Sequence, residues 1–219
     1  VRLELIETLM EMINRDVVPS VPCQGSVGSS GDLAPLSHMA LVLIRAPEGE
    51  DREDESGWAW YQGQRMTGLK AMAQAGIERI VLEAKEGLAL NNGAQLSAAF
   101  GALSLWRARR VMERAELAAA MTLEALYGVT RAFHPLVHRL RPLQGQGITA
   151  ARILEHLEGS DLVDRDPSVV QDPYSLRCTP QVHGASRDAI AFAASQLEVE
   201  MNAATDNPLI LMELEGREE

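Results

Sequence analysis

The chain has 219 residues, of which 46% are hydrophobic and 23% charged, the balance of a globular protein with one sizeable core or two small ones. Its formal net charge of −11 argues against a nucleic-acid partner. No apolar run is long enough to span a bilayer, no signal-peptide pattern opens the chain, and two cysteines are too few for a disulfide framework, so we expect a cytoplasmic protein with no membrane partner.

Helical periodicity dominates the sequence. The strongest pattern runs over 94–127 and would give roughly 50 Å of unbroken helix, a length usual in bundles and oligomer cores. We predict an all-α fold, a long-helix bundle, with one small β-hairpin at 58–66, where Gln-Gly separates two short runs. Other helices are predicted over 1–14, 36–44, 67–75, 84–90, 150–157 and 182–203, with a loop over 134–147.

One stretch, Gly25–Leu36, carries three glycines and three serines in its first seven residues and then turns into an apolar helical pattern. Because glycine has no Cβ to block a close approach, the amide nitrogen of Gly31 can attack the carbonyl carbon of Ser29 and close a five-membered ring. Loss of water and of the Ser30 hydroxyl would then leave an exocyclic methylidene, which is a strong electrophile. An ordinary flexible loop is the alternative interpretation of such a run.

This stretch, Gly-Ser-Val-Gly-Ser-Ser-Gly-Asp-Leu-Ala-Pro-Leu, resembles the ammonia-lyase and aminomutase family that acts on histidine, phenylalanine and tyrosine. Members of that family build a methylidene-imidazolone group from an internal Ala-Ser-Gly. The resemblance implies that Ser29, Ser30 and Gly31 form this group here and that no external cofactor is needed. Ser29 stands where the family usually has alanine, but that side chain only decorates the ring.

A second segment, Gln171–Gly184, resembles the same family. Tyr174 and Arg177 are three residues apart, so one helical turn would place both at one pocket. A guanidinium is the natural bidentate partner of a carboxylate, and a tyrosine hydroxyl can donate a hydrogen bond or move a proton. The resemblance implies that Gln171 and Arg177 bind substrate and that Tyr174 is catalytic; without it, a packed tyrosine and a surface arginine would be the better interpretation.

A third match is Glu86–Gly93, in which the resemblance places Asn92 beside the ring as a substrate-binding residue. Taken alone, Asn-Gly is only a turn signal. His134 and His138 have the spacing of a metal pair, but no acidic residue lies between them and Pro135 disrupts the geometry, so no metal site is predicted.

The resemblance implies a homotetramer whose subunits eliminate ammonia from a small-molecule amino acid. The segment 174–184 resembles histidine ammonia-lyases more than the plant-type phenylalanine enzymes, so we expect L-histidine as substrate and urocanate as product. The alternatives are a tyrosine or phenylalanine ammonia-lyase, an aminomutase with the same group, and a catalytically silent lyase-like scaffold. The resemblance covers only the middle of a family member, so we expect 1–219 to be a single helical segment without the N-terminal catalytic-loop region and the C-terminal region.

Overall fold

The structure is a computed structural model that describes residues 1–28, 31–206 and 208–209. Ser29 and Ser30, two of the predicted ring residues, lie outside the described residues. In the part that is described, most residues are helical and none of the helices is long and apolar enough to cross a membrane. The predicted fold class, mostly helical with a small β element, is confirmed.

The helices are α1 Leu3–Asn14, α2 Leu33–Leu43, α3 Gly68–Ala75, α4 Glu86–Asn91, α5 Gln95–Ala125, α6 Pro135–Leu140, α7 Gln144–His156, α8 Tyr174–Arg177 and α9 Thr179–Met201. The strands are β1 Val18–Pro19, β2 Trp58–Tyr61 and β3 Gln64–Thr67, and 3₁₀ turns lie at Glu53–Glu55 and Thr130–Phe133.

The chain forms two compact units, which are described separately. Unit 1 contains Val1–Ala99 and the described residues from Met201 onward, and unit 2 contains Phe100–Glu200. The prediction of one undivided helical segment stays a prediction.

The core of unit 1 lies between α1, α2, α3, α4 and the sheet. Its α2 is buried along much of its length because most of its side chains are apolar. The helix α3 ends where Gly76 adopts a left-handed conformation with φ of 67°, which is the usual C-terminal signal of a helix. The buried residues of this core are Leu5, Met12, Val17, Ala40, Val42, Leu43, Ala59, Ala71, Met72, Ala75, Ile77, Ile80 and Leu90.

The predicted hairpin is confirmed as β2 and β3, which pair in antiparallel register around a turn at Gln62 and Gly63. Both turn residues have positive φ, as a two-residue type I′ hairpin turn requires. The sheet has a third strand that the sequence did not indicate: β1 pairs with β2 in antiparallel register, with Val18 opposite Trp60.

Unit 2 is built from α5 to α9 around a second core. Its buried residues are Ala120, Leu123, Phe133, Ala150, Ile153, Leu157 and Leu176. Within it, α5 and α9 pack closely at Gly101, where an added Cβ would lie 3.4 Å from the Leu197 side chain.

The predicted loop over 134–147 is wrong, because it contains α6 and the first turn of α7. Pro135 occupies the first position of α6, where its missing N–H costs nothing. The Nδ1 atom of His134 accepts a hydrogen bond from the backbone nitrogen of Leu136 at 3.2 Å and so caps the helix.

Candidate functional site

Gly31 is the predicted ring residue that the structure describes, and its surroundings admit only glycine. Its φ is 89°, in the left-handed region that side-chain-bearing residues rarely adopt. A Cβ added to Gly31 would lie 2.6 Å from the carbonyl oxygen of Gly93 and 3.0 Å from its carbonyl carbon. The loop backbone therefore packs directly against the backbone that follows α4.

Asp32, the next residue, binds this loop to the start of α5. Its backbone nitrogen donates to the carbonyl oxygen of Gly93 at 2.6 Å. Its carboxylate is completely buried and accepts hydrogen bonds from the Ser26 hydroxyl and from the backbone nitrogen and hydroxyl of Ser97, the last two at 2.8 and 3.1 Å. The bonds from Ser26 and then Ser97 lower the pKa of Asp32 despite its burial. The Asp32 carboxylate thereby satisfies the Ser97 N–H group at the start of α5, where the positive end of the helix dipole favours its negative charge.

The two ends of the glycine loop meet at the start of α2. Ser26 donates to Asp32, and a Cβ on Gly25 would lie 3.8 Å from the Cβ of Ala34 in the first turn of α2. The helix begins at Leu33, three residues before the predicted range of 36–44, and the Asp32 side chain does not cap it. The unpaired N–H groups and positive dipole end of α2 therefore lie within two residues of Gly31, a favourable place for a group that accepts electron density.

Asn92 lies beside Gly31 because the next residue, Gly93, is in contact with Gly31. It ends α4 with φ of −95° and ψ of 78°, and its backbone nitrogen donates to the carbonyl oxygen of Leu88 at 2.9 Å. Since Gly93 follows it directly, the packing of Gly31 on Gly93 brings the partly exposed Asn92 next to the loop. The structure thus brings together two of the predicted site residues, Gly31 and Asn92.

The other end of α4 is held by an ion pair between a buried carboxylate, Glu86, and a partly exposed arginine, Arg2. The carboxylate of Glu86 is 2% exposed and accepts from the Arg2 side chain at 2.8 and 3.1 Å, from the Arg2 backbone nitrogen at 2.9 Å and from the Glu83 backbone nitrogen at 2.8 Å. These bonds, the Arg2 side chain first, lower the pKa of Glu86 to about 2. A six-residue helix is thereby fixed at its start by Glu86 and at its end by the contact at Gly93.

In unit 2, Tyr174 and Arg177 lie on one helical turn, α8, as predicted. The guanidinium carbon of Arg177 is 4.2 Å from the centre of the Tyr174 ring, and Tyr174 is 72% exposed. Gln171 is exposed. The neighbouring Asp172 accepts from the backbone nitrogen of Val129 at 2.6 Å, which fixes the chain entering α8.

Three buried polar atoms of this region have no hydrogen-bond partner within the described chain: Nε of Arg177, Oε1 of Gln181 and Nδ1 of His183. Buried donors and acceptors are nearly always paired in proteins, so each unpaired atom calls for a physical explanation. Arg177 and Gln181 are four residues apart, which is one helical turn.

The rest of unit 2 forms a rigid support for α9. The buried carboxylate of Glu116, on α5, accepts from the Thr149 hydroxyl at 2.9 Å and from Arg152 at 2.8 Å, both on α7. Arg187, on α9, donates to the same carboxylate through Nη2 at 2.7 and 2.8 Å. One carboxylate therefore connects three helices, and its two arginines compensate its buried charge.

The helices α7 and α9 also touch backbone to backbone. A Cβ on Gly145 would lie 2.2 Å from the carbonyl oxygen of Gly184. The nitrogen of Gly145 donates to Oδ1 of Asp188 at 2.7 Å, which satisfies a free N–H group in the first turn of α7. This crossing fixes the position of α9 three residues after Gln181.

Both ring nitrogens of His138 take part in hydrogen bonds within unit 2. Its Nε2 lies 3.2 Å from the carbonyl oxygen of Ala132 and its Nδ1 lies 3.0 Å from Nε2 of Gln146, so both ring nitrogens are engaged. Burial lowers its pKa. The described residues contain no cluster of three or more histidine, cysteine or acidic side chains that could hold a metal ion.

A cavity of about 440 Å³ lies between α6 and α7, and none of the predicted site residues lines it. Its lining is mostly apolar and includes Phe133, Leu143 and Ile148. The predicted site residues that the structure describes, which are Gly31, Asn92, Gln171, Tyr174 and Arg177, instead lie on exposed or partly exposed surfaces of their own units.

Sequence reasoning missed one residue beside a predicted residue in each unit: Asp32, which follows Gly31 in unit 1, and Gln181, four positions after Arg177 in unit 2. Asp32 was visible only as part of a matched motif, because its partner Ser97 is 65 positions away. The spacing of Gln181 could have indicated that it lies near Arg177, since it stands four residues after Arg177 within the matched segment Gln171–Gly184.

Known proteins match this chain along nearly all of its length. The profile of the aromatic amino acid lyase family matches residues 1–219. The histidine ammonia-lyase of Caldanaerobacter subterraneus subsp. tengcongensis is 50% identical over 211 residues, 96% of this chain and 40% of that protein. The histidine ammonia-lyase of Myxococcus xanthus is 51% identical over 217 residues, 98% of this chain and 41% of that protein.

Among solved structures, an ergothioneine-degrading ergothionase from Treponema denticola, in complex with desmethyl-ergothioneine sulfonic acid, superposes with a TM-score of 0.86 at 31% identity. The match covers 96% of this chain and 40% of that one. The chain thus spans about two fifths of the length of the curated relatives it matches. Because the family profile covers all of it, the chain belongs to the aromatic amino acid lyase family.

Proposed function

We propose that the protein carrying this chain is a histidine ammonia-lyase, which eliminates ammonia from L-histidine and releases urocanate. The observation that carries the chemistry is Gly31, held in a left-handed conformation against the backbone of Gly93, next to Asn92. The choice of histidine is supported by the two histidine ammonia-lyases that are 50% and 51% identical.

The surroundings of Gly31 fit a methylidene-imidazolone formed from Ser29, Ser30 and Gly31, without an external cofactor. The third ring residue must be glycine, and a Cβ on Gly31 has no space. When formed, the group supplies an electrophilic carbon that takes up the substrate amine. The start of α2, two residues away, favours negative charge at that position.

The chain's own residues then have distinct tasks in this proposal. The guanidinium of Arg177 binds both oxygens of the substrate carboxylate, and the exposed hydroxyl of Tyr174 donates or moves a proton. Gln171, exposed beside α8, is a second substrate contact. The amide of Asn92, at the end of α4, holds the substrate carboxylate or the electrophile beside Gly31.

We also propose that the protein acts in the cytoplasm as a homotetramer. The long helices carry many exposed apolar side chains, and such surfaces on a globular protein mark interfaces. On α5 these are Phe100, Leu103, Trp106, Val111, Leu117 and Met121. Light scattering coupled to size-exclusion chromatography of the full-length protein gives the mass of the assembly directly; a monomer at micromolar concentration would contradict this part of the proposal.

The function is tested by giving the full-length protein L-histidine, L-phenylalanine, L-tyrosine and ergothioneine in parallel. We expect urocanate from histidine and an intact mass about 36 Da, or two waters, below that of the encoded chain. A β-amino acid product would instead identify an aminomutase, and turnover of phenylalanine or tyrosine alone would identify another lyase. Turnover of ergothioneine alone would identify an activity like that of the Treponema denticola enzyme. A full encoded mass without turnover would identify a silent scaffold.

A further inference from the structure

Two unpaired atoms in unit 2 are chemically complementary. Nε of Arg177 carries a hydrogen-bond donor, Oε1 of Gln181 is an acceptor, and both are buried without a partner in the described chain. One hydrogen bond between them would remove both unpaired atoms at once.

The backbone brings the two side chains to the same side of the helix. The nitrogen of Cys178 donates to the carbonyl oxygen of Tyr174 at 3.0 Å, and the nitrogens of Gln181 and Val182 both donate to the carbonyl oxygen of Cys178 at 3.1 Å. A hydrogen-bonded path therefore crosses the single turn residue, Cys178, that separates α8 from α9. Residues four apart on such a path are neighbours. His183, two residues beyond Gln181, lies about 200° further round the helix and is not on this face.

Arg177 is held in an arrangement that leaves Nε unused. Its guanidinium stacks on the Tyr174 ring at 4.2 Å, and stacking engages the flat face of the guanidinium and not its N–H edges. A carboxylate held end-on by the two terminal nitrogens also leaves Nε without a partner. An acceptor one turn away would therefore select which edge of the guanidinium faces the substrate.

We propose that Gln181 is a positioning residue for Arg177. Its amide oxygen accepts the Nε–H of Arg177 when the guanidinium binds the substrate carboxylate, so that both terminal nitrogens face the carboxylate oxygens. The inference rests on the proposed function, because Arg177 binds substrate there. Gln181 itself touches neither the substrate nor the reacting atoms.

The test is steady-state kinetics of full-length Gln181→Met, which keeps the length and flexibility of the side chain but removes the acceptor. We expect KM for L-histidine to rise about tenfold while kcat changes less than about twofold, because the lost bond supports a charged binding group. L-histidinamide, which lacks the carboxylate, serves as a competitive inhibitor, and its inhibition constant should stay within about twofold of wild type because Arg177 has no carboxylate to bind.

The matched control is His183→Phe, which also removes a buried unpaired atom from α9 but on another face of the helix. Its KM for histidine should equal that of wild type. If Gln181→Met does not fold, as judged by circular dichroism, Gln181→Leu is tested in its place, because it removes the same acceptor.

An unchanged KM in the Gln181 variant overturns the inference. The inference is also overturned if the Gln181 variant binds histidine and histidinamide more weakly by the same factor. It is overturned as well if His183→Phe raises KM for histidine as much as the Gln181 variant does. Either result indicates a purely structural role. Wild type that does not turn over histidine refutes the proposed function, and the inference falls with it. If wild type turns over histidine and the Gln181 variant has the same KM as wild type, the inference is refuted but the proposed function stands.

Discussion

Buried polar groups are hydrogen-bonded in the glycine loop of unit 1 but some lack partners in the α8–α9 segment of unit 2. Beside Gly31, the buried Asp32 is paired inside the chain: its carboxylate accepts hydrogen bonds from Ser26 and Ser97, and its backbone nitrogen donates to the carbonyl oxygen of Gly93. Around Arg177, buried polar atoms are unpaired and the aromatic ring beside them is largely exposed.

The difference separates two kinds of preorganisation. A site that must compress its own backbone needs every supporting bond before any substrate arrives, because strained geometry persists only where the surroundings over-determine it. A site that binds a charged ligand keeps donors ready for that ligand, since they gain a partner only on binding. We expect changes in unit 1 to alter formation of the electrophile and changes in unit 2 to alter binding.

The largest effect is expected from Ser30→Ala in the full-length protein. In the proposed mechanism, Ser30 supplies the carbon and the leaving oxygen of the electrophile, so turnover of histidine should be abolished while the circular dichroism spectrum stays that of wild type. The intact mass should no longer show the loss of two waters, about 36 Da. More than a trace of wild-type turnover would show that the methylidene mechanism is wrong.

Gly31→Ala should also prevent the loss of two waters, because its Cβ meets the Gly93 carbonyl oxygen at 2.6 Å. Gly28→Ala is the matched control: its φ is 68°, equally unfavourable for alanine, but no atom of the described residues lies within 4 Å of its Cβ position. The control should lose about 1–2 kcal/mol of stability from backbone strain and keep the ring. Intact mass and thermal unfolding measure the two effects, and ring formation in Gly31→Ala would show that the contact with Gly93 is not restrictive.

Arg177→Lys should reduce kcat/KM roughly ten- to a hundredfold although it keeps the charge, because an ammonium cannot bind both carboxylate oxygens in one plane. The loss corresponds to one charge-assisted hydrogen bond of about 1.5–3 kcal/mol. The two-water mass loss should be unchanged, in contrast to the unit 1 variants. A lysine variant within about twofold of wild type would make Arg177 a structural residue.

The smallest effect, on stability alone, is expected from Glu86→Gln. The pKa of Glu86 is lowered from 4.5 to about 2, so the ionised carboxylate stabilises the folded state above pH 4.5 and this contribution disappears as the pH falls toward 2. The variant should therefore unfold at a lower temperature than wild type at pH 7. The difference between the two unfolding temperatures should become smaller as the pH falls from 4.5 to 2. A gap that does not depend on pH would mean that Arg2 and Glu86 stabilise by packing and not by charge.

The local features of this fold were predictable from sequence because their causes are local. The helices α1, α2 and α5 follow from hydrophobic periodicity, and the end of α3 follows from Gly76. The hairpin follows from the Gln-Gly turn between two short runs.

The errors also have physical causes. The region 134–147 was interpreted as a loop because Pro135 and two glycines reduce helix propensity, whereas Pro135 begins α6 and Gly145 is buried at the crossing with Gly184. The strand β1 was missed because two residues carry no periodicity, and its pairing with β2 joins positions 42 residues apart, as Val18 with Trp60.

The candidate site was predictable from motif resemblance as far as residue identities go, and less so in its arrangement. Asn92 beside Gly31 was expected from the resemblance, and the contact of Gly31 with Gly93 supplies its physical basis. The role of Asp32 required knowing that Ser97 lies within hydrogen-bonding distance, which no local pattern indicates.

The long separation between Asp32 and Ser97 has a consequence for the order of events during synthesis. At about 5–20 residues per second, Ser97 leaves the ribosome roughly 3–13 s after Asp32, and until then the Asp32 carboxylate lacks two of its three hydrogen-bond donors. In the proposed mechanism, the loop is therefore compressed only after the start of α5 has been made and has folded against it. A nascent or misfolded chain would carry three inert residues, and the reactive group would arise only in molecules that have already reached the native fold.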